Sequence, residues 1–470
     1  MCIMNKPAKE MNMKINYISL LLIVLIGAFN NLAAQGKKSR TPNIILILAD
    51  DMGKECLGTY GGTYNTPNLD KLAAEGLKFN YGFSQPLCTP SRVQIMTGKY
   101  NYKNYVEFGY LDPNQKTFAH IAKEAGYKTC ISGKWQLGAN NKLPAHFGFD
   151  QYCLWQLVYS RAQGERYANA LIEQDGKVVR RSDDTYGPDI FTNYILDFIE
   201  KNKDNKFLAY YPMALVHDPF VPTPDSKSWK DGAEARHRRD TANFRDMVAY
   251  ADKNVGRIIQ KLKELGIYDN TIVIFTGDNG TGRSVITPMK DGSVVHGGKG
   301  LTLDRGHRVP LIVNYGAVKY KVHETDDLVD FTDILATIAD VAQVKVPKDW
   351  DIDGRSIYPQ IKGEKGNPRQ WIFCHYSPLH GAEINKHSAR FFRDHRYKLY
   401  HDGRFYDLLT DNEETNPIPE GQGSPEAEAA RKVFKAELAK VPAWSPGDPG
   451  KPKYVLPGLE SQRTSEIKID

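Results

Sequence analysis

The run Asn43-Ile-Ile-Leu-Ile-Leu-Ala49 sets six apolar residues in succession and stops abruptly at Asp50-Asp51. A strand with one wet face alternates apolar and polar residues, so an unbroken run of this kind predicts a strand covered on both faces, with helices above and below it. The chain supplies them in alternation. Thr66-Pro67 opens a helix whose Leu69, Leu72 and Ala73 share one side and which Gly76 closes. Lys116 to Ala125 reads as a helix, Tyr127 to Ile131 as a strand, Pro188 to Lys201 as a helix and Phe207 to Leu215 as a strand. A long amphipathic helix follows from Thr241 to Leu265, then a second buried strand from Thr271 to Thr276. This order predicts an α/β domain on a mostly parallel central sheet flanked by helices.

A chain of 470 residues exceeds what one core usually organises. Beyond Gly363 the texture changes to short alternating segments at Trp371 to Tyr376, Ala389 to Arg393 and Tyr397 to Tyr400, with a helix at Pro425 to Leu438. The expected division is a large domain over 35–363 and a small C-terminal antiparallel sheet with a covering helix over 364–470. Before both, Lys6, Lys9 and Lys14 precede an uncharged apolar run from Ile18 to Phe29 and then Leu32-Ala33-Ala34. That is the layout of a secretory signal peptide, residues 1–34, cleaved near Ala34. Its apolar core is short of the roughly 20 residues a spanning helix needs, so no stable membrane span is expected and the mature protein is placed in the periplasm or outside the cell. The net charge of +6 is spread without a long basic block, which argues against nucleic acid as partner and suits an anionic substrate.

In open parallel sheets ligands bind beyond the carboxyl ends of the strands. Asp50-Asp51, Lys134, His217, Asp278-Asn279 and Lys299 all follow strands or lie in adjoining loops. Three carboxylates and an amide gathered at two strand ends repel one another unless a cation lies between them. Their hard oxygen atoms favour calcium or magnesium over zinc. Each acidic pair alone reads as a cap or turn, and only their joint placement points to a metal. Cys88-Thr89-Pro90-Ser91-Arg92 sets a cysteine at the polarised start of an apparent helix. A small buried thiol is the plainer reading of that cysteine.

Five segments in order, Asn43 to Gly53, Cys88 to Gly98, Gly133-Lys134-Trp135-Gln136-Leu137-Gly138, Gly266 to Gly280 and Gly297 to Pro310, resemble the succession of motifs in formylglycine sulfatases. The resemblance covers nearly the whole mature chain, including Tyr397-Lys398-Leu399 and Phe405-Tyr406-Asp407-Leu408. It implies an alkaline-phosphatase-like fold. It also implies that a separate maturation enzyme oxidises Cys88 to formylglycine, whose hydrate attacks sulfur and later expels sulfate. By position Asp50, Asp51, Asp278 and Asn279, with the modified Cys88, would hold Ca²⁺. Arg92 would hold the formylglycine side chain, Lys134 and Lys299 would bind sulfate oxygens, and His217 would protonate the leaving oxygen.

The chain departs from the family at two places. Gln136 stands where a histidine is usual, and glutamine can hold the diol by hydrogen bonds but takes up no proton at neutral pH. Asp304 replaces a usual glutamate, with an effect expected on packing. His296 and His307 flank Lys299 in sequence and are candidates for the missing base or for substrate contact, with Gln136 as a third substrate-binding residue. The run Arg236-His237-Arg238-Arg239 reads as a solvated helix face, or as a rim for a sulfated polymer. Trp155, Trp229 and Tyr159 are either packing residues or sugar-stacking surfaces. The expected activity is hydrolysis of sulfate esters on a polysaccharide or its fragments, such as ulvan, carrageenan or another algal glycan. The alternatives are a phosphonate or phosphate ester hydrolase on the same scaffold and a non-catalytic glycan-binding relative.

Overall fold

The computed structural model describes residues 41–155, 157, 166–179, 182 and 184–460. The expected signal peptide and Tyr159 lie outside them. The strands run β1 (Asn43–Ala49), β2 (Leu77–Phe83), β3 (Lys128–Lys134), β4 (Gln151–Trp155), β5 (Ile172–Gln174), β6 (Lys177–Val179), β7 (Phe207–Pro212) and β8 (Thr271–Gly277). After them come β9 (Ile286–Pro288), β10 (Val294–His296), β11 (Arg308–Tyr315) and β12 (Glu324–Asp330). Ten of these form one sheet in the order β12-β2-β11-β8-β1-β7-β3-β4-β5-β6, while β9 and β10 pair as a separate hairpin. The centre, β8-β1-β7-β3-β4, is parallel throughout, and antiparallel pairs involve β11, β5 and β6.

Strand β1 explains why the sheet is covered twice. Ile45, Ile47 and Ala49 enter one core, and Ile44, Leu46 and Leu48 enter the other. The first core is closed by α1 (Pro67–Glu75), and the second by α2 (Cys88–Thr97) and α3 (Phe118–Glu124). Further along, α4 (Gly187–Lys201) and α5 (Phe244–Glu264) join the first face and α6 (Asp333–Ala342) joins the second. Each fully buried Ile or Leu side chain contributes about 1.5–3 kcal/mol, which is why so apolar a strand is held at the middle. No described helix is long and apolar enough to cross a membrane.

The small sheet comprises β13 (Ile372–Tyr376), β14 (Ala389–Arg393), β15 (Tyr397–Tyr400) and β16 (Phe405–Asp407), all antiparallel. Helix α7 (Pro425–Leu438) covers it through Ala427 and Phe434. The sheet grips the loop that carries Lys299. Lys398 donates to the Thr302 carbonyl at 2.5 Å, Tyr400 bonds the Thr302 hydroxyl at 2.9 Å, and Arg393 pairs with Asp304. Asp304, in the helical turn before β11, is therefore held by an ion pair to the small sheet.

Candidate active site

Two adjacent parallel strands deliver the acidic groups. Register pairs Ala49 with Gly277, the Asp278 N–H donates to the Ala49 carbonyl at 2.8 Å, and Asp50 and Asp278 emerge side by side. Asp51 adopts φ +58°, a left-handed turn that aspartate tolerates better than most residues. Its N–H donates to Asp278 Oδ1 at 3.0 Å. Lys134 arrives from the end of β3, where Gly133 has φ +131° and a Cβ would lie 2.0 Å from the Pro212 carbonyl oxygen. Only glycine allows β3 and β7 to approach so closely there.

Cys88 is the first residue of α2, buried, with Sγ 3.3 Å from Gln136 Oε1. One turn later Arg92 donates through Nε and Nη2 to Asp278 Oδ2 at 3.1 and 3.0 Å and through Nη1 to the Lys134 carbonyl at 3.1 Å. Lys134 Nζ contacts both Asp50 oxygens at 3.0 and 2.9 Å. Lys299 Nζ lies 2.7 Å from Asp51 Oδ2 and 2.7 Å from His217 Nε2. A lysine ammonium only donates, so Nε2 accepts and the imidazole proton sits on Nδ1, 2.6 Å from the Asp218 carbonyl oxygen. The structure thus brings together Asp50, Asp51, Cys88, Arg92, Lys134, Gln136, His217, Asp278, Asn279 and Lys299. Beside Lys299 the cluster opens into a cavity of about 710 Å³.

One cation has no counterpart in the sequence reading. Arg166 is buried, its Nη1 lies 2.6 Å from Asp50 Oδ2, and its guanidinium stacks 4.4 Å from the Trp155 ring centroid. The sequence around it has no hydrophobic period, so no pattern singles it out. Tyr167 beside it donates to the Ala214 and His217 carbonyls at 3.0 and 2.5 Å and fixes the histidine's backbone. Four cations, Arg92, Lys134, Arg166 and Lys299, now face the carboxylates of Asp50, Asp51 and Asp278, with Asp218 as a fourth acid beside His217, so Arg166 brings the cations level with the acids. Replacing Arg166 by methionine should lower kcat/KM for an anionic ester about tenfold, the lower end of what charge focusing in a cleft supplies. Kinetics at two ionic strengths check this, because the loss should shrink as salt rises.

The charges set the protonation states. Burial opposes ionisation of Asp50, but Lys134, with Arg166 and Arg92, holds its carboxyl well below the usual range. Burial and the neighbouring Asp50 push Asp278 up. Burial and the Arg166 charge hold His217 below its ordinary value. Burial pushes the Cys88 thiol up, against the pull of Lys134 and Lys299. A thiol in that state is a poor nucleophile at neutral pH.

The expectations for the remaining residues meet a different geometry. His307 is fully buried between Phe83 and Phe391, at ring distances of 5.3 and 5.2 Å, so its ring packs in the aromatic core. His296 is exposed at the end of β10, paired with Ile286 in the separate hairpin. Trp155 and Trp229 are buried, one under Arg166 and the other against Tyr186 at 5.4 Å, so neither offers a sugar platform. Lys134 belongs to β3 itself, which runs three residues past its expected end at Ile131.

The oxygen atoms fit a hard cation. Asn279 is fully buried and its Nδ2 donates to Asp51 Oδ1 and the Gly280 carbonyl at 2.8 and 2.9 Å, while its Oδ1 has no hydrogen-bond partner. A buried acceptor without a donor is costly unless a cation meets it. One ligand atom each from Asp50, Cys88 and Asp278 lie within 4.8 Å of one another. Such carboxylate and amide oxygens suit calcium.

Comparison with known proteins gives the family. Residues 42–344 match the family model described as Sulfatase, and residues 296–442 match N-sulphoglucosamine sulphohydrolase, C-terminal. The chain belongs to the sulfatase family. This sulfatase is 30% identical to N-acetylgalactosamine-6-sulfatase of Homo sapiens, over 75% of the chain and 72% of that protein. It is 30% identical to arylsulfatase J of Mus musculus over 73% of the chain, and there the match spans 60% of the relative's length. Among solved structures, Ps i-CgsB in complex with k-i-k-neocarrahexaose superposes with a TM-score of 0.68 at 25% identity, covering 85% of the sulfatase and 92% of that chain. Like these relatives it is a sulfuric ester hydrolase.

Proposed function

We propose that this sulfatase removes sulfate from a sulfated polysaccharide or its oligosaccharides, with Cys88 converted to formylglycine by a maturation enzyme and Ca²⁺ held by Asp50, Asp51, Asp278 and Asn279. The observation that carries the reading is the position of Cys88, at a helix start beside Gln136 and among Lys134, Lys299, Asp50 and Asp278. Burial raises the thiol, which makes the unmodified cysteine a poor nucleophile and supports a modified one at this position. The hydrated aldehyde supplies a hydroxyl nucleophile together with a second hydroxyl through which the aldehyde can re-form. Bound calcium supplies a positive charge that orients sulfate and lowers the pKa of a neighbouring hydroxyl.

The chain's own residues do the rest. Arg92 is anchored on Asp278 and the Lys134 carbonyl, so it fixes α2 and its first residue against the acidic cluster. Lys134 and Lys299 present ammonium groups where negative charge grows on sulfate oxygens. His217 stands at the open side of the cluster, where the leaving oxygen departs. Gln136 offers a hydrogen bond to the nucleophile and no proton transfer. The carbohydrate class is supported by the volume of the cavity beside Lys299, about 710 Å³, and by the neocarrahexaose held by the relative at 25% identity. Export is supported by the charged, apolar and small-residue order of residues 1–34.

Protein coexpressed with a maturation enzyme should release sulfate from at least one member of a panel of sulfated oligosaccharides, algal and glycosaminoglycan, and act faster on aryl sulfate than on aryl phosphate. Faster phosphate release, or no sulfate released from any ester, defeats the proposal. Removal of calcium by chelator should cost about 10²-fold or more in rate, restored by adding calcium back, and should lower the melting temperature because the ion binds only the folded state. A chelated protein with full activity and unchanged melting would remove the metal from the account.

A further inference from the structure

The cavity that opens beside Lys299 holds two more cations that the proposed chemistry does not use. Arg239 and Arg283 both line it. Arg283 donates through Nε to the carbonyl of Lys299 itself, at 2.8 Å, and so is fixed to the backbone of the lysine assigned to sulfate. Neither arginine has a carboxylate partner among the described residues, although acids are close at hand. Those acids are already engaged. Asp218 faces His217 Nδ1 at 3.0 Å, and Asp240 accepts the Ala242 N–H at 2.9 Å as the cap of its turn. Of the cationic run 236–239, Arg236 is folded back on Trp229, with Nε 3.1 Å from the Trp229 carbonyl and the guanidinium 5.2 Å from the ring, and Arg239 is the member that reaches the cavity. On the same wall His380 stacks on Phe108 with centroids 3.8 Å apart, a flat surface suited to a sugar ring.

We propose that Arg239 and Arg283 form a second anion subsite, and that the preferred substrate carries, besides the sulfate to be cleaved, a further oxyanion on the same or the adjoining sugar. This rests on the sulfatase reading and specifies its substrate class. Guanidinium groups bind carboxylate and sulfate oxygens in a bidentate fork, and two unpaired forks at the wall of a catalytic cavity select for a substrate with something to fill them. A neutral neighbouring sugar leaves both unfilled. Because both side chains are exposed, the gain is moderate and salt-sensitive.

The test uses matured, calcium-loaded protein and three disaccharides with one scissile sulfate. In the first the neighbouring position is neutral, in the second it carries another sulfate, and in the third it is a uronate. The wild type should favour at least one dianionic substrate over the neutral-neighbour one by about tenfold or more in kcat/KM, mostly through KM. Whether the sulfate or the uronate arm shows it identifies the oxyanion. The selectivity ratio should fall several-fold in Arg239→Gln and in Arg283→Gln, approach one in the double variant, and weaken as salt rises. A ratio near one in the wild type, or one unchanged in the double variant, overturns the subsite and leaves the sulfatase reading intact. If no disaccharide is cleaved, the sulfatase reading fails instead. Calorimetric binding of the same three compounds to Cys88→Ala protein then decides the subsite, which requires tighter binding of a dianion that the double variant loses. Glutamine at two exposed positions should leave the melting temperature within a few degrees, so loss of selectivity is not loss of fold.

Discussion

Replacing Cys88 by alanine is expected to abolish multiple turnover of every sulfate ester, a loss on the order of 10⁵-fold or more, as for other enzymes deprived of a covalent nucleophile. The size follows from the position. Among the described residues no other nucleophilic side chain stands at the centre of the cluster, where Lys134 and Lys299 are ammonium donors and Asp50 and Asp278 are tied to cations. Alanine is smaller and a strong helix former, and Cys88 begins a helix whose ten residues are all buried, so the variant should fold normally and still bind calcium. Serine at the same place is more informative. Its hydroxyl can attack sulfur but has no second hydroxyl from which to re-form a carbonyl, so Cys88→Ser should stall as a covalent sulfate ester visible by mass spectrometry. Continued turnover by Cys88→Ala would refute the nucleophile outright, whatever the metal does.

The parts of this site that could be read from sequence are those written in apolar runs and fixed spacings. Strands β1 and β8 are continuous apolar stretches with acidic ends, and both lie in the centre of the sheet with their carboxylates adjacent. Where a strand ends in polar residues its boundary is not legible in the sequence. β3 continues through Ser132-Gly133-Lys134 because those residues pair with Cys153, Leu154 and Trp155, a tertiary pairing that no local pattern announces. β7 ends at Pro212, before the expected Leu215, as the chain turns toward Asp50, whose N–H bonds the Leu215 carbonyl at 2.8 Å. The three-residue strands β5, β6, β9 and β10 are too short to show a period. Arg166 is illegible for a related reason, since its role depends on its contacts with Asp50 and Trp155 and not on its neighbours in the chain. His307 misled in the opposite direction. Its nearness to Lys299 in sequence hides a chain reversal that sends its ring into the core between two phenylalanines.

Replacing His217 by alanine should cost about 10²- to 10⁴-fold on sugar sulfates and far less on esters of acidic phenols. A sugar alkoxide is a strongly basic leaving group and must be protonated as the S–O bond breaks, whereas a nitrophenolate departs without a proton. In the structure the imidazole is neutral, its Nε2 accepting from Lys299 and its Nδ1–H directed at Asp218. Burial and the charge of Arg166 favour that state, with Lys299 adding to them. A bound sulfate reverses the balance, because Lys299 turns its ammonium to the sulfate oxygens and the imidazole gains an anion where it had a cation. The shift is upward, toward the protonated form that acts as acid. The rate on sugar sulfates should accordingly fall as pH rises through the His217 pKa in the complex, and this limb should be absent from the alanine variant. The leaving-group series separates this role from simple positioning. Proton donation predicts that log kcat/KM falls more steeply with leaving-group pKa in the variant than in the wild type. If aryl and sugar esters lose the same factor, His217 only holds Lys299 in place, and the proton comes from Lys299 or from water.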